Sequence, residues 1–523
     1  MKPLLLWIAL GLAPILAKSQ TPSGPQTVFQ EDFETPGVLQ AWSGRATLGP
    51  GCTNGHSAAV ESQAGAAGAT ISRAVPLELL RGASLRASIM VKADSVSPKP
   101  NPWNGVKFML VCQTPTGTTW PQAALETGSF GWRRAGFFTR VPAETTNVTL
   151  VLGLEQVTGK AWFDDLRLTV VHHPSPPSAK LAAGAAFKGH DLPRLRGTMI
   201  SPGINAESLR VLGQDWHANL IRWQLIRTGP LGSDQDYDFW LEGELKRLEH
   251  ALALCDKYGL RVALDLHSPP GGKPTGGGYA GSDDRFFTDP RCQAKFVQIW
   301  RSLAVRFKSS PAIWGYDLAN EPVEDDLAEG CEDWQGLAER AARAIREIDP
   351  QRAIIVEPAN WGGPDGFRDL VPLSVSNVVY SVHMYLPTAF THQGVFASGP
   401  PAFYPGEIQG VRWDKARLEQ ALLPVIEFQQ RYGVHIYAGE FSAIRWAPGD
   451  SARRYLADLI DLFETHGWDW TYHAFREWDG WSVEHGPDRQ DPRPAPAPTD
   501  RQQLLTHWFA ENRKPGDDLR QKP

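Results

Sequence analysis

Seven polar residues stand at or near the ends of short apolar, β-rich runs: Arg222 in NLIRWQ, His267 closing RVALDLH, Asn320 and Glu321 closing AIWGYDLANE, His383 and Tyr385 in VVYSVHMY, and Glu440 in VHIYAGEFS. Singly, each has an ordinary explanation. An arginine pairs with a surface carboxylate, and an isolated strand-end histidine is more often a satisfied core residue than a catalytic one. Asn-Glu-Pro arises by chance in roughly one chain in twenty of this length. Gathered on one rim, the seven suit a single chemistry. Cleaving a glycosidic bond takes one carboxylic acid that protonates the leaving oxygen and one carboxylate that stays ionised and attacks the anomeric carbon, so their surroundings must drive their pKa values apart. Arg222 and the Tyr385 hydroxyl would favour the charged form of Glu440, which assigns it as nucleophile and leaves Glu321 as acid and then base. Asn320 would hydrogen-bond the sugar 2-hydroxyl, a contact that can strengthen as oxocarbenium character develops. His267 and His383 would orient substrate hydroxyls or the acid/base carboxylate.

For such a ring to exist, the runs must be strands of one parallel sheet. From Leu195 onward eight β-rich runs can be counted: 194 to 200, 219 to 224, 261 to 267, 312 to 321, 353 to 359, 378 to 385, 434 to 442 and 470 to 475. Longer amphipathic segments alternate with them, as βα units require. In LEGELKRLEHALALCDKYG, for example, Leu241, Leu245, Leu248, Leu252 and Cys255 fall on one helical face, and Gly259 supplies the stop. Eight strands with intervening helices predict an α/β fold, a (β/α)8 TIM barrel over residues 190 to 513. In such barrels chemistry sits where strands end and βα loops begin, which is where the polar residues lie. The glycine-rich stretch 268 to 287 is expected to shape the cleft, and it is no phosphate loop because no GK[ST] follows.

Residues 26 to 171 read differently, as short alternating segments punctuated by Gly, Pro, Asn and Thr, the pattern of an all-β sandwich. A Pro/Ser-rich linker is expected over 172 to 189. Residues 1 to 19 combine a lysine, an apolar run broken by Gly11 and Pro14, and the small-residue pattern Ala17-x-Ser19, which predicts a secretory signal peptide and an extracellular or periplasmic protein. No later stretch approaches eighteen consecutive apolar residues, so no membrane association is expected after cleavage. The net charge of -6 offers no footprint for nucleic acid, which leaves a neutral partner. Five cysteines leave at least one unpaired, and none has metal-ligand spacing. Twenty tryptophans suit sugar rings as well as cores. A monomer is expected.

The strand-end NEP, the GEF around Glu440, Arg222, the DLH ending at His267 and the HMY of His383 to Tyr385 together resemble glycoside hydrolase family 5, the cellulase family of clan A. The resemblance covers about residues 190 to 512. It implies a retaining double displacement on a β-linked glycan, with Glu321 as acid/base, Glu440 as nucleophile and no catalytic metal or organic cofactor. An endo-β-1,4-glucanase is the expected member; β-mannanase, exo-β-glucosidase and glycolipid-cleaving enzymes share the same ring. Family members usually end strand eight with a tryptophan floor, whereas this chain reads WTYHAFREWDGWSVEH, with His473 near that place and Trp478 or Trp481 as replacements. The first domain is similar to jelly-roll carbohydrate-binding modules through FQEDFE and GKAWFDDLRL. In that group acidic residues at the two ends often hold a structural calcium, which here implies Glu31, Asp32, Asp164 or Asp165. Trp103, Trp120 and Trp132 are candidate sugar platforms. Two other classes compete: a non-catalytic glycan binder, which would be expected to lack one carboxylate, and a metal-dependent hydrolase, which would need HxH or HExxH at a strand end.

Overall fold

The runs from Leu195 onward close on themselves. In a computed structural model, strands β1 (Arg196–Ile200), β2 (Leu220–Gln224), β3 (Arg261–Asp265), β4 (Ile313–Asp317), β5 (Ala353–Val356), β6 (Val378–Met384), β7 (Ile436–Phe441) and β8 (Asp469–Phe475) form a closed barrel with β8 paired to β1. Residues 25–63, 68–172, 186–201, 203–227, 234–272, 283, 285–324, 327–396 and 399–515 are described. The signal sequence, most of the 172 to 189 linker and the middle of the 268 to 287 loop lie outside them.

Alternation along each strand divides the barrel's side chains between two surroundings. Inward positions near the strand starts are apolar, and Leu220, Ala263, Ile355, Val379 and Tyr437 fill the lower interior together with Trp314. Outward residues such as Ile221, Val262 and Ile354 pack against the surrounding helices. The helix Asp234–Tyr258 buries Leu241, Leu245, Leu248 and Cys255, as the sequence spacing predicts, and Gly259 follows it with φ +68°, a conformation that glycine reaches at no steric cost. At the end of the barrel where strands begin, Asp469 closes the structure. One carboxylate oxygen accepts the Leu195 N–H at 2.7 Å, and the other lies 2.7 Å from Nε2 of both His190 and His435. Burial opposes ionisation there, yet the two imidazoles hold the carboxyl well below the usual range.

The N-terminal region is two antiparallel sheets. One runs 47–50, 56–62, 159–172, 84–96 and 128–140, with 26–31 also paired to 159–172; the other runs 43–44, 68–74, 147–155, 105–114 and 117–119. Leu85, Ala87, Ile89 and Val91 meet Phe108, Leu110, Leu150 and Leu152 in a core of their own. This sandwich is docked on the barrel. Arg86 Nε donates to the Leu327 carbonyl at 2.8 Å and its guanidinium also reaches the Ala328 carbonyl, while the Ser84 hydroxyl bonds Asp333. Phe138 and Val171 of the sandwich pack against the barrel's outer core. None of the five cysteines forms a disulfide. Among the described residues no helix is long and apolar enough to cross a membrane.

Candidate active site

Moving two residues up from the apolar interior layer reaches charge. The inward ladder runs Leu220 to Arg222, Ala263 to Asp265, Gly315 to Asp317 and Ile355 to Glu357, and every one of these polar side chains is buried. Arg222 is the hub. Its Nε donates to Asp317 at 2.8 Å, Nη2 to Glu357 at 2.8 Å and Nη1 to Glu440 at 2.5 Å, with Asp265 3.3 Å away. The Asn320 amide oxygen accepts from both terminal nitrogens at 3.1 and 3.2 Å. One guanidinium cannot neutralise four carboxylates. Burial, against the pull of Arg222, pushes Asp265 up to about 8 and Asp317 well above its ordinary value.

Glu321 is placed by its backbone. It adopts φ +47°, a left-handed conformation that a residue with a side chain visits only when its surroundings impose it. Its N–H donates to Glu357 Oε2 at 2.7 Å, so the carboxylate that braces Arg222 through one oxygen holds the turn at Glu321 through the other. His383 Nδ1 stands 2.9 Å from the Glu321 carboxylate, and Nε2 stands 3.2 Å from Glu357. His267 reaches the centre through others: Nδ1 lies 2.7 Å from Asp265 and Nε2 lies 3.1 Å from the Asn320 amide nitrogen.

Glu440 enters from the far side. The pairing of β6 with β7 slips at Val382/His383, and there the chain turns Glu440 into the mouth next to the inward-facing Gly439. A Cβ at 439 would come within 2.5 Å of Ser381 Oγ and 3.0 Å of His383, so the close approach of these strands requires glycine. Glu440 Oε1 takes Arg222, and Oε2 accepts the Tyr385 hydroxyl at 2.9 Å with His473 Nδ1 at 3.3 Å. Burial opposes its charge, but His383, His473 and Arg222 together hold it well below the usual carboxylate range. The two imidazoles respond in kind. Despite burial, the surrounding carboxylates drive His383 well above its ordinary value and His473 up to about 10. Glu440, with 4 % of its side chain exposed, is therefore a permanently ionised group among cations, whereas Glu321, at 15 %, is the more open of the pair.

The His473 shift has a testable sign. An unfolded imidazole titrates near 6.5, so between 6.5 and about 10 the folded ring keeps a proton that the unfolded chain releases. Its stabilisation is complete below 6.5 and is lost as pH rises through 10. Replacing His473 by Gln should flatten the fall of melting temperature with pH across that window; identical slopes for parent and variant would refute the pairing.

The structure brings all seven rim residues of the sequence reading together, with His473. Trp478 lies beside them, 39 % exposed and edge-on to Trp481, with ring centroids 5.4 Å apart. Trp481 is buried against Tyr385, His392 and His473, so of the two candidate floors only Trp478 presents an open indole. Asp265, Asp317, Glu357 and Glu477 were missed as site residues; the last stands 3.3 Å from His473. Strand ends alone do not reveal them: Asp265, Asp317 and Glu357 share Arg222's inward layer, and Glu477 follows the end of β8.

The four carboxylates considered for calcium have these partners, with Asp32 accepting the Glu34 N–H at 3.1 Å. Glu31 pairs with Arg73 at 2.6 Å, Asp165 with Arg134 and Arg167, and Asp164 accepts the N–H groups of Cys52 and Asp165. Among the described residues, the groups with the donor set of a metal site are Glu321, His383 and Glu440 in the mouth and His190, His435 and Asp469 at the opposite end.

A closed parallel barrel with two carboxylates facing one another at its C-terminal mouth defines a glycoside hydrolase. Residues 182–478 match the cellulase model of glycosyl hydrolase family 5, and the chain belongs to that family. It is 30% identical over 271 residues to Endoglucanase C of Acetivibrio thermocellus, covering 46% of this chain and 76% of that protein. It is 27% identical over 246 residues to Cellodextrinase A of Ruminococcus flavefaciens, covering 46% and 69%. The solved structure of endoglucanase Cel5A from Thermotoga maritima is similar at 24% identity, with a TM-score of 0.46, over 60% of this chain and 96% of that one.

Proposed function

We propose that the chain is an exported, endo-acting β-1,4-glucanase that hydrolyses its substrate with net retention. One observation carries the mechanism: a carboxylate oxygen of Glu321 and one of Glu440 lie within 4.8 Å of each other and of the His383 nitrogen. Retaining enzymes hold their carboxyl groups about 5 to 5.5 Å apart, and inverting enzymes need a wider gap to seat a water. Glu440 attacks the anomeric carbon while Glu321 passes its proton to the departing glycosidic oxygen. Glu321, now a base, then takes a proton from water as that water displaces Glu440 from the glycosyl ester. Arg222, Tyr385 and His473 hold Glu440 aimed and charged between the two steps. Asn320 gives one amide hydrogen to His267, and the other is the one that a sugar 2-hydroxyl would accept.

The linkage rests on the family and on relatives named as endoglucanases. Incubation with barley β-glucan, carboxymethylcellulose, mannan and xylan should release reducing ends mainly from the first two. Release from mannan alone would replace the glucanase reading with a mannanase one, and no release from any would remove the polysaccharidase reading. Proton NMR of the first-formed product should show the β anomer; the α anomer would contradict the double displacement.

The sandwich is proposed as a glycan-binding module. Trp103 and Trp120 are 60% and 59% exposed, and buried Lys107 ties their two segments together by bonding the Trp103 carbonyl and Gln122. Trp132 is half-buried. In the same screen, affinity electrophoresis through the preferred glycan should lose its retardation in a Trp103→Ala/Trp120→Ala variant.

A further inference from the structure

Where the sandwich meets the barrel it leaves a cavity of about 470 Å³. Phe138, Thr139 and Arg140 of the sandwich line one side. The barrel supplies the rest from two loops, one containing Val323 and Glu324 just after Glu321, the other running from Ala359 to Leu370, with Trp334 and Gln335 at the start of a helix between them. Both loops are tied by backbone hydrogen bonds to residues at or beside the catalytic centre. The Trp361 N–H donates to the Pro322 carbonyl at 3.4 Å, and the Gly362 carbonyl accepts the His383 N–H at 2.8 Å. The lining therefore begins two residues beyond the acid/base and comes from the segments after β4 and β5, whereas Glu440's partners Tyr385 and His473 stand just past β6 and on β8.

Its lining is of a particular kind. Trp361 presents an indole that is 40% exposed, on a residue held at φ +62°. Around it stand Asn360, Arg140, Arg368, Asp365 and Asp369. Acids and bases are mixed, so no excess of either sign favours an ionic ligand, and an apolar ligand would strand the polar groups. A flat aromatic face ringed by planar hydrogen-bonding groups suits a neutral sugar, whose ring stacks while its hydroxyls both donate and accept. Among the described residues no carboxylate pairs directly with the Arg140 guanidinium, although Glu324 and Asp369 lie within its field.

We infer that this seam between sandwich and barrel is a distal subsite for the leaving-group end of a neutral glycan chain, completed by Arg140 and its neighbours from the sandwich. The inference rests on the proposed glycosidase mechanism: Glu321 protonates the leaving oxygen, so the departing part of the chain extends past Glu321, toward the cavity. A consequence is that the sandwich takes part in substrate selection by chain length as well as in attachment to glycan.

The test compares long and short substrates on the full chain. kcat/KM is measured for cellohexaose and for p-nitrophenyl β-cellobioside, whose leaving group is a single aryl ring rather than a run of sugars, in the parent and in Trp361→Ala, Arg140→Ala and Thr139→Trp. The first two remove contacts and the third fills the space, so one unstable variant leaves two informative ones. The ratio of the two kcat/KM values should fall about tenfold in each, mainly through KM for the hexasaccharide. A ratio unchanged from the parent in variants whose melting temperatures are preserved would overturn the subsite. If the parent turns over neither substrate, the glycosidase reading itself fails, an outcome separate from loss of the subsite.

Discussion

Glu440→Gly should lower turnover of the preferred glycan and of aryl glycosides by about 10⁴-fold or more, because it removes the group that forms the intermediate rather than one that polishes its environment. The fold should survive. Arg222, relieved of its 2.5 Å contact, keeps Asp317, Glu357 and Asn320. The vacated space faces the anomeric carbon, so azide should restore turnover of an activated aryl β-glycoside. In that reaction a nitrogen–carbon bond forms at the anomeric carbon as its bond to the aryloxy oxygen breaks, with Glu321 or solvent protonating the departing phenolate. The product should be the α-glycosyl azide, formed by one inversion. A β-azide, or a variant as fast as the parent without azide, would mean that Glu440 is not the nucleophile.

Arg222→Ala should be the most destabilising single change in the barrel. It would leave four carboxylates without their shared cation, and breaking a buried pair from one side costs about 3 to 5 kcal/mol. For a chain of 523 residues that corresponds to a drop in melting temperature of about 3 to 5 °C. The loss should shrink on acidification, because without the pull of Arg222 the buried Asp265 and Asp317 are raised further and regain stability by taking a proton. Activity should vanish even where the variant is folded, since Glu440 loses both its aim and one of its three cations. Equal melting temperatures for parent and variant at neutral pH would show that the network is not held by Arg222.

The comparison of sequence with structure divides by the kind of information each feature needs. Barrel strands were legible because short apolar runs alternate with amphipathic helices, and the rim followed because polar residues interrupt those runs at one end. Glu321 and Glu440 could be paired because glycosidic chemistry calls for two carboxylates in unlike surroundings. The layer beneath was not legible. Asp265 and Asp317 lie inside strands that read as apolar, and Glu357 passes for the end of a run; only the inward alternation, known once the barrel is closed, aligns them with Arg222. The slip in β6/β7 pairing that turns Glu440 inward leaves no trace beyond Gly439, whose reason is the proximity of Ser381 and His383. Contacts between sandwich and barrel depend on surfaces far apart in the chain, so Arg86 and Ser84 gave no sign of their partners.

Those contacts carry one more implication. Arg86 grips the carbonyls of Leu327 and Ala328, a few residues beyond the acid/base, and Ser84 holds Asp333 on the same stretch. A barrel cut free of its companion would thus forfeit a restraint on the very segment that delivers the proton. Module shuffling at this linker would consequently alter the catalyst itself.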